Sequence, residues 1–379
     1  MGSGADLVIP QHLRPEDGRF GCGPSKVPAA AVRALAEAGP TLLGTSHRQA
    51  PVKALVHRLR AGLAEFFQAP AGYEVVLGNG GATYFWDVAT LSLIERRSQH
   101  LVFGEFSSKF AQAVYEAPHL DEPEIIESPP GTLPTPIGNT KVDTYCLTQN
   151  ETSTGVAMPV ERVGSPGQLV LVDATSAAGG MRVDLGQTDV YYFSPQKCFA
   201  SDGGLWVALL SPTAISRTER LCRSDRWIPP SLNLLTALTN SRQDQTYNTP
   251  AVATLFLFAQ QLDWLLAQGG LEWAADRCQQ SAGIVYDWAA GSDFATPYVA
   301  DPAQRSPVVA TVDLDPSVSA QDVSAALRRN GIVDTDAYRK LGRNQLRLGL
   351  FPAVDPADVR QLTLAIDWVA ARLRDRDAV

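Results

Sequence analysis

LVLVDATSAAGG at residues 169–180 and YYFSPQKCFASDGG at residues 191–204 are each a short apolar run that breaks off into small and polar residues. Runs of that length are strand-sized and far short of a membrane span. The first charged residue after each run is Asp173 in the first stretch and Lys197 in the second. Neighbouring parallel strands joined by a crossover end side by side, at the edge where open α/β sheets bind ligands. The pair is therefore expected to meet at that edge, although taken alone the same residues also fit a helix-capping Asp and a solvated Lys.

Working outward, the same alternation of apolar run and helical pattern extends in both directions. An amphipathic pattern near 52–67 precedes YEVVLGN at 73–79 and the helix-like TYFWDVATLSLIE; LVFGEF at 101–106, VDTYCLTQNE at 142–151 and GLWVALLS at 204–211 complete one set of strands. The pattern predicts one large, mostly parallel sheet. Residues 212–250 are Pro, Asn and Ser-rich and read as loosened chain. A helix from Thr254 to the glycines Gly269 and Gly270 is expected to connect two domains. A second α/β pattern follows, with VVATVDL at 308–314, a helix at 320–329, NQLRLGLF at 344–351 and a closing helix from Ala357. The expected division is an N-terminal arm over 1–20, a large domain over 21–285 and a small C-terminal α/β domain over 286–379.

The chain has 379 residues, 45% of them hydrophobic and 19% charged, enough for a large core without disulfide staples. Its five cysteines are odd in number, scattered and free of CxxC spacing, so neither a disulfide framework nor a metal site is expected. A net charge of −8 disfavours a nucleic-acid surface, and the first residues carry no export or transit pattern. These features point to a cytoplasmic protein with no membrane or nucleic-acid partner, acting on a metabolite.

Asp173 and Lys197 have the polarity that pyridoxal 5′-phosphate requires. Its aldehyde needs an amine to form a Schiff base, and its ring nitrogen needs a carboxylate to stay protonated. LGNGGATYFW at 77–86 reads as a strand, a glycine turn and a helix start, where the N–H groups of Ala82 and Thr83 and the Thr83 hydroxyl can hold a phosphate. It lacks the lysine of a P-loop, which counts against a nucleotide enzyme. Phe106, expected at a strand end, could stack on a flat ring or simply pack in the core. The stretch 328–347 gathers Arg328, Arg329, Arg339, Lys340, Arg343 and Arg347 against Asp334 and Asp336, and reads either as a reader of a doubly anionic substrate or as a solvated surface. His47 and Arg48 form another cationic pair.

Taken in order, FGCGPSKVP, GTSHRQAPVK, LGNGGATYFWD, NETSTGVA, VDATSAAGG, SPQKCFASDGGLW, TYNTPA and GIVDTDAYRKLGRNQLRLGLFPAV resemble the phosphoserine aminotransferase family, in its actinobacterial form. This is a class V branch of the fold type I pyridoxal-phosphate transferases, which implies that the large sheet is of the seven-stranded type, and the similarity covers nearly the whole chain. The resemblance implies amino transfer from L-glutamate to 3-phosphohydroxypyruvate, giving O-phospho-L-serine and 2-oxoglutarate in serine biosynthesis. It also implies that Lys197 forms the Schiff base and then moves a proton, that Asp173 meets the ring nitrogen, that Phe106 stacks on the ring and that Thr152 meets the ring hydroxyl. Ala82, Thr83 and Gln196 would hold the phosphate, with Asn248 and Thr249 arriving from the other subunit of a homodimer with shared sites. Arg347 would hold the α-carboxylate, and His47 and Arg48 would reach the distal anion. Where other members carry an arginine in the phosphate loop and a His-Arg pair before the last strand, this chain has Thr83 and, from Tyr338 on, Arg339, Lys340 and Arg343, any of which could supply the missing cation. The competing readings are a related aminotransferase for 4-phosphohydroxy-L-threonine in pyridoxine biosynthesis and a cofactor-free, anion-binding α/β protein.

Overall fold

The computed structural model describes residues 7–377. In chain order the strands are β1 (Glu74–Gly80), β2 (Ser98–Val102), β3 (Glu124–Glu127), β4 (Thr144–Thr148), the two-residue ribbon strands β5 (Asn150–Glu151) and β6 (Val156–Ala157), β7 (Leu169–Asp173), β8 (Val190–Phe193), β9 (Gly204–Leu210), β10 (Ala295–Pro297), β11 (Val309–Leu314) and β12 (Gln345–Gly349). Seven of them form one sheet in the order β1-β9-β8-β7-β4-β2-β3, in which β9 alone runs against its neighbours. The mostly parallel sheet expected from the alternating pattern is present.

Side chains alternate between faces along a strand, and both faces here are covered, which explains why β4 and β7 are buried along their whole length. Val170, Val172, Tyr191 and Phe193 pack into a cluster with the helices over 50–66 and 252–268. Leu169, Leu171, Val190 and Tyr192 face the other way, toward the helices that start at Ala82, Glu105, Pro212 and Leu234. All the parallel strands therefore carry their carboxyl ends to one edge of the sheet. The segments that follow β1, β2, β4, β7 and β8 emerge together there.

Several elements differ from the sequence reading. The strand expected through Phe106 stops at Val102, and Phe106 lies in the first turn of the helix Glu105–Tyr115. The strands expected to run on to Glu151 and Lys197 likewise stop at Thr148 and Phe193. Residues 212–250 contain two helices, not loose chain. Ser211, expected at the end of a strand, and Asn233, expected in loose chain, accept hydrogen bonds from Ala214 N and Thr236 N and cap these helices. The helix Val252–Gln268 packs Leu255, Phe258, Leu262 and Leu265 on the large sheet. It is the next helix, Gly270–Gly291, that touches both cores, with Leu271 and Ala274 in the large cluster and Val285 and Ala289 in the small one. Strand β3 had no clear signal in EIIE.

β10, β11 and β12 form an antiparallel sheet covered by the helices 320–329 and 356–377. Of the arm expected over 1–20, residues 1–6 lie outside the described residues, as do 378–379 of the C-terminal unit. Leu7, Ile9 and Phe20 pack into the small sheet's core. Backbone bonds Phe20 N to Val333 O (3.2 Å) and Gly349 N to Phe20 O (2.8 Å) lay this segment along the edge of that sheet. Among the described residues no helix is long and apolar enough to cross a membrane.

Gly78 on β1 sits opposite Trp206 on β9, and a Cβ there would fall 2.0 Å from the indole ring. Gly78→Ala should cost about 1–3 kcal/mol by overpacking a buried aromatic. A lowered urea midpoint with an unchanged slope is the expected result.

Candidate active site

The carboxyl edge of the large sheet surrounds a cavity of about 260 Å³. Its lining includes Ala82, Thr83, Phe106, Thr152, Asp173, Gln196 and Lys197, so the residues expected to hold a cofactor in one subunit do converge. A larger cavity of about 620 Å³ lies elsewhere, beside Lys26, Trp264 and Arg277. Its cations are already paired, Lys26 with Asp17 and Asp358 and Arg277 with Asp355. Size does not identify the reactive site.

Lys197 is 8% exposed, four residues beyond the end of β8. Its Nζ donates to the Cys22 carbonyl at 2.7 Å and lies 5.9 Å from the centroid of the Phe106 ring. Burial, reinforced by the Arg347 guanidinium, lowers its pKa from 10.5 to about 8. Gly23, at φ +137°, makes this position possible, since a Cβ there would stand 2.2 Å from Nζ. Sequence reasoning quoted FGCGPSKVP but gave Cys22 and Gly23 no place in the site; the glycine at that point was the available signal.

Asp173 ends β7 and is 5% exposed. By alternation it shares the face of Leu169 and Leu171, and its register partner on β8 is Tyr192. Its Oδ2 accepts from Trp86 Nε1 (3.0 Å) and Tyr192 O–H (3.2 Å), and its Oδ1 accepts from Thr175 N (3.0 Å) and Thr175 Oγ1 (2.6 Å). Neither Trp86 nor Tyr192 was singled out in the sequence. Trp86 sits one helical turn beyond Ala82, a spacing that faces it toward the strand ends.

Phe106 is fixed through its backbone. Buried Glu151 accepts from Phe106 N (3.1 Å), Ser107 N (2.9 Å) and the hydroxyls of Ser107 and Ser153 (2.9 and 2.7 Å), capping the start of the helix that carries the ring. Thr152 Oγ1 is 2.8 Å from Ser176 Oγ. Gln196 Oε1 accepts from the Ser194 hydroxyl. The helix Ala82–Ser92 has no side-chain cap, which leaves its leading N–H groups facing the cavity. Cys198 is buried with Cys22 and Cys278 in an apolar cluster, and burial raises its thiol pKa, as a packing residue requires.

Arg347 projects from β12 with Nη1 3.1 Å from Thr152 O and its guanidinium 5.2 Å from the Tyr338 ring centroid. Among the described residues its buried Nε finds no hydrogen-bond partner. The rest of the basic stretch is largely committed elsewhere. Arg328 pairs with Asp334 and Asp336, Arg343 holds Asp313 and lies over Tyr298, and Lys340 holds Glu105. Among the described residues exposed Arg339 has no ion-pair partner. His47, Arg48, Asn248 and Thr249 do not line the cavity. They gather beside Asn79, whose Nδ2 donates to Asn248 O (3.2 Å) and Thr249 O (3.3 Å), with His47 Nδ1 3.4 Å from Thr249 Oγ1. Desolvation and the Arg48 charge hold His47 below the usual imidazole pKa.

A sheet edge carrying a buried amine opposite a buried acid is the arrangement of a pyridoxal-phosphate transferase. The class-V aminotransferase model matches residues 20–335, and the chain belongs to that family and is an aminotransferase. Its relatives narrow this to the phosphoserine aminotransferases. That of Nocardioides sp. is 58% identical over 97% of this chain and 99% of its own, and that of Rhodococcus opacus 55% identical over 97% and 98%. The crystal structure of a phosphoserine aminotransferase from Cytophaga hutchinsonii matches in fold, with a TM-score of 0.86 at 24% identity over 93% of this chain and 99% of that one.

Gly23→Ala should displace Lys197 and strain the backbone at positive φ, costing about 1–3 kcal/mol. Urea unfolding of the variant should show it; an unchanged midpoint would mean that the lysine moves aside freely.

Proposed function

We propose that this chain binds pyridoxal 5′-phosphate in the cavity at the sheet edge and transfers an amino group from L-glutamate to 3-phosphohydroxypyruvate, giving O-phospho-L-serine and 2-oxoglutarate. The observation that carries the reading is the buried pair of Asp173 and Lys197 at the ends of adjacent strands, with the leading N–H groups of the 82–92 helix beside them. The residues fit the cofactor: an amine of lowered pKa for its aldehyde, a carboxylate for its ring nitrogen and free N–H groups for its phosphate. When bound, pyridoxal phosphate supplies an electron-poor ring that stabilises negative charge at the substrate Cα.

The protein's own groups do the rest. Ala82, Thr83 and Gln196 hold the phosphate, Asp173 accepts the ring N–H, Phe106 covers one face and Thr152 meets the ring hydroxyl. With the cofactor bound, Lys197 Nζ would be the base for the proton on the substrate Cα, a role its lowered pKa favours because more of the amine is neutral near physiological pH. Arg347, whose Nε lacks a partner, takes the α-carboxylate as a two-pronged donor. His47, Arg48, Asn248 and Thr249, gathered outside the cavity, serve the site of a second copy, so the enzyme works as a homodimer. In this reading residues 21–285 are the cofactor domain and 286–379 the small domain, and the enzyme is cytoplasmic.

Purified protein with pyridoxal phosphate should use O-phosphoserine far better than serine or aspartate as amino donor to 2-oxoglutarate. Equal use of the three would overturn the substrate assignment.

The lowered pKa of Lys197 gives a separate expectation. The neutral amine is the nucleophile, so the rate at which cofactor-free protein takes up pyridoxal phosphate should rise about tenfold per pH unit below pH 8 and level off above it. A rate still climbing past pH 10 would mean that burial does not lower this pKa.

A further inference from the structure

The carboxylate of Asp173 is saturated. A carboxylate offers roughly four lone-pair positions, and among the described residues four donors converge on this one. Thr175 N and Oγ1 meet Oδ1, and Trp86 Nε1 and Tyr192 O–H meet Oδ2. Asp173 also lines the cavity, so a ring nitrogen entering there meets an acceptor with no free position. One of the four donors has to give way.

The geometry singles out which. Thr175 is bound through its own backbone and hydroxyl two residues along the chain, a local turn that fixes Oδ1. The Trp86 indole is held in a packed helix and stacks on Phe110 at 5.9 Å, so its N–H direction is set by the core. Tyr192 makes the longest of the four bonds, 3.2 Å, and a phenol proton swings about its C–O bond without moving the ring. Burial and the neighbouring Asp173 charge both raise the Tyr192 pKa, so the phenol keeps its proton and stays a donor.

We infer that Trp86 and Tyr192 are positioning residues with opposite roles toward the cofactor: Trp86 fixes the direction of Asp173, and Tyr192 occupies the position on Oδ2 that the ring N–H takes over. Before the cofactor arrives, Tyr192 keeps the buried carboxylate fully hydrogen-bonded, which avoids the cost of an unsatisfied buried charge. When the ring N–H arrives, the phenol O–H turns off Oδ2. Trp86 remains, and the carboxylate does not rotate. This inference rests on Asp173 meeting the ring nitrogen, as proposed above.

The test is pyridoxal phosphate affinity, read by titrating cofactor-free wild-type, Tyr192→Phe and Trp86→Phe proteins and following tryptophan fluorescence and the visible absorption band. Tyr192→Phe removes the competitor and should bind the cofactor two- to tenfold more tightly. Trp86→Phe frees Oδ2 to turn and should bind it at least tenfold more weakly, with the visible band shifted. A merely structural role for both residues predicts weaker binding in both, and Tyr192→Phe weakening in step with Trp86→Phe overturns the inference. Melting curves of the cofactor-free proteins identify any variant that fails to fold; should Tyr192→Phe be one, Tyr192→Trp, which keeps a donor of fixed direction, should bind more weakly than wild type, and equal binding would overturn the inference. A wild-type protein that takes up no pyridoxal phosphate would overturn the proposed function itself, a result distinct from either variant outcome.

Discussion

The 2.7 Å bond from Lys197 Nζ to the Cys22 carbonyl ties the two sheets to one another at a buried amine. Cys22 belongs to a segment that bonds to the small sheet through Gly349 N to Phe20 O, and to the 331–333 turn beside it through Val333 N to Gly18 O. Lys197 belongs to the loop that leaves the large sheet after β8. The amine is therefore not a free strand-end side chain. It is held between a glycine with no room for a Cβ and a carbonyl of the segment that pairs with the small sheet. Anything that shifts the small sheet relative to the large one acts directly on the Lys197 amine.

Burying an acid and an amine at the same edge would be costly if each had to find its own counterion. Asp173 is stabilised by neutral donors, and Lys197 by a carbonyl and a lowered pKa. Lys197 therefore remains available to a ligand that brings its own charges, and Asp173 becomes so once one of its neutral donors gives way. The same economy holds at Arg347, where one nitrogen of the fork is bonded to Thr152 O and another is left open. An acidic chain can in this way serve anionic ligands. The net charge of −8 is spread over the surface, while the unspent donors are concentrated at the sheet edge.

What the sequence revealed and what it hid follow the range of the interactions involved. The apolar runs ending in Asp173 and Lys197 were legible because strand period and crossover topology are local rules, and the adjacency of β7 and β8 follows from them. Trp86, Tyr192, Glu151 and Gly23 were not. Each matters through a partner 44 residues or more away in the chain or on a neighbouring strand, as with Glu151 and Ser107 or Trp86 and Asp173. The cap Asn233 was misread for the opposite reason. Pro, Asn and Ser mark loops and helix starts alike, and the helices behind them are short.

The basic stretch shows where composition alone misleads. Six cations against two acids within the segment read as a concentrated anion site, yet Arg343 is held by Asp313 and Lys340 by Glu105, acids that lie far outside it. The pairing with Glu105 matters beyond charge balance. Glu105 is the residue before Phe106, so Lys340 fastens the 336–343 segment to the helix that carries the ring expected to cover the cofactor. Tyr338, from the same segment, stands 6.2 Å from Phe106 and under the Arg347 guanidinium. The cations thus arrange the small domain's approach to the cavity. Arg339 has no ion-pair partner among the described residues, and Arg347 keeps an open Nε, so these two differ from the paired Arg328, Lys340 and Arg343.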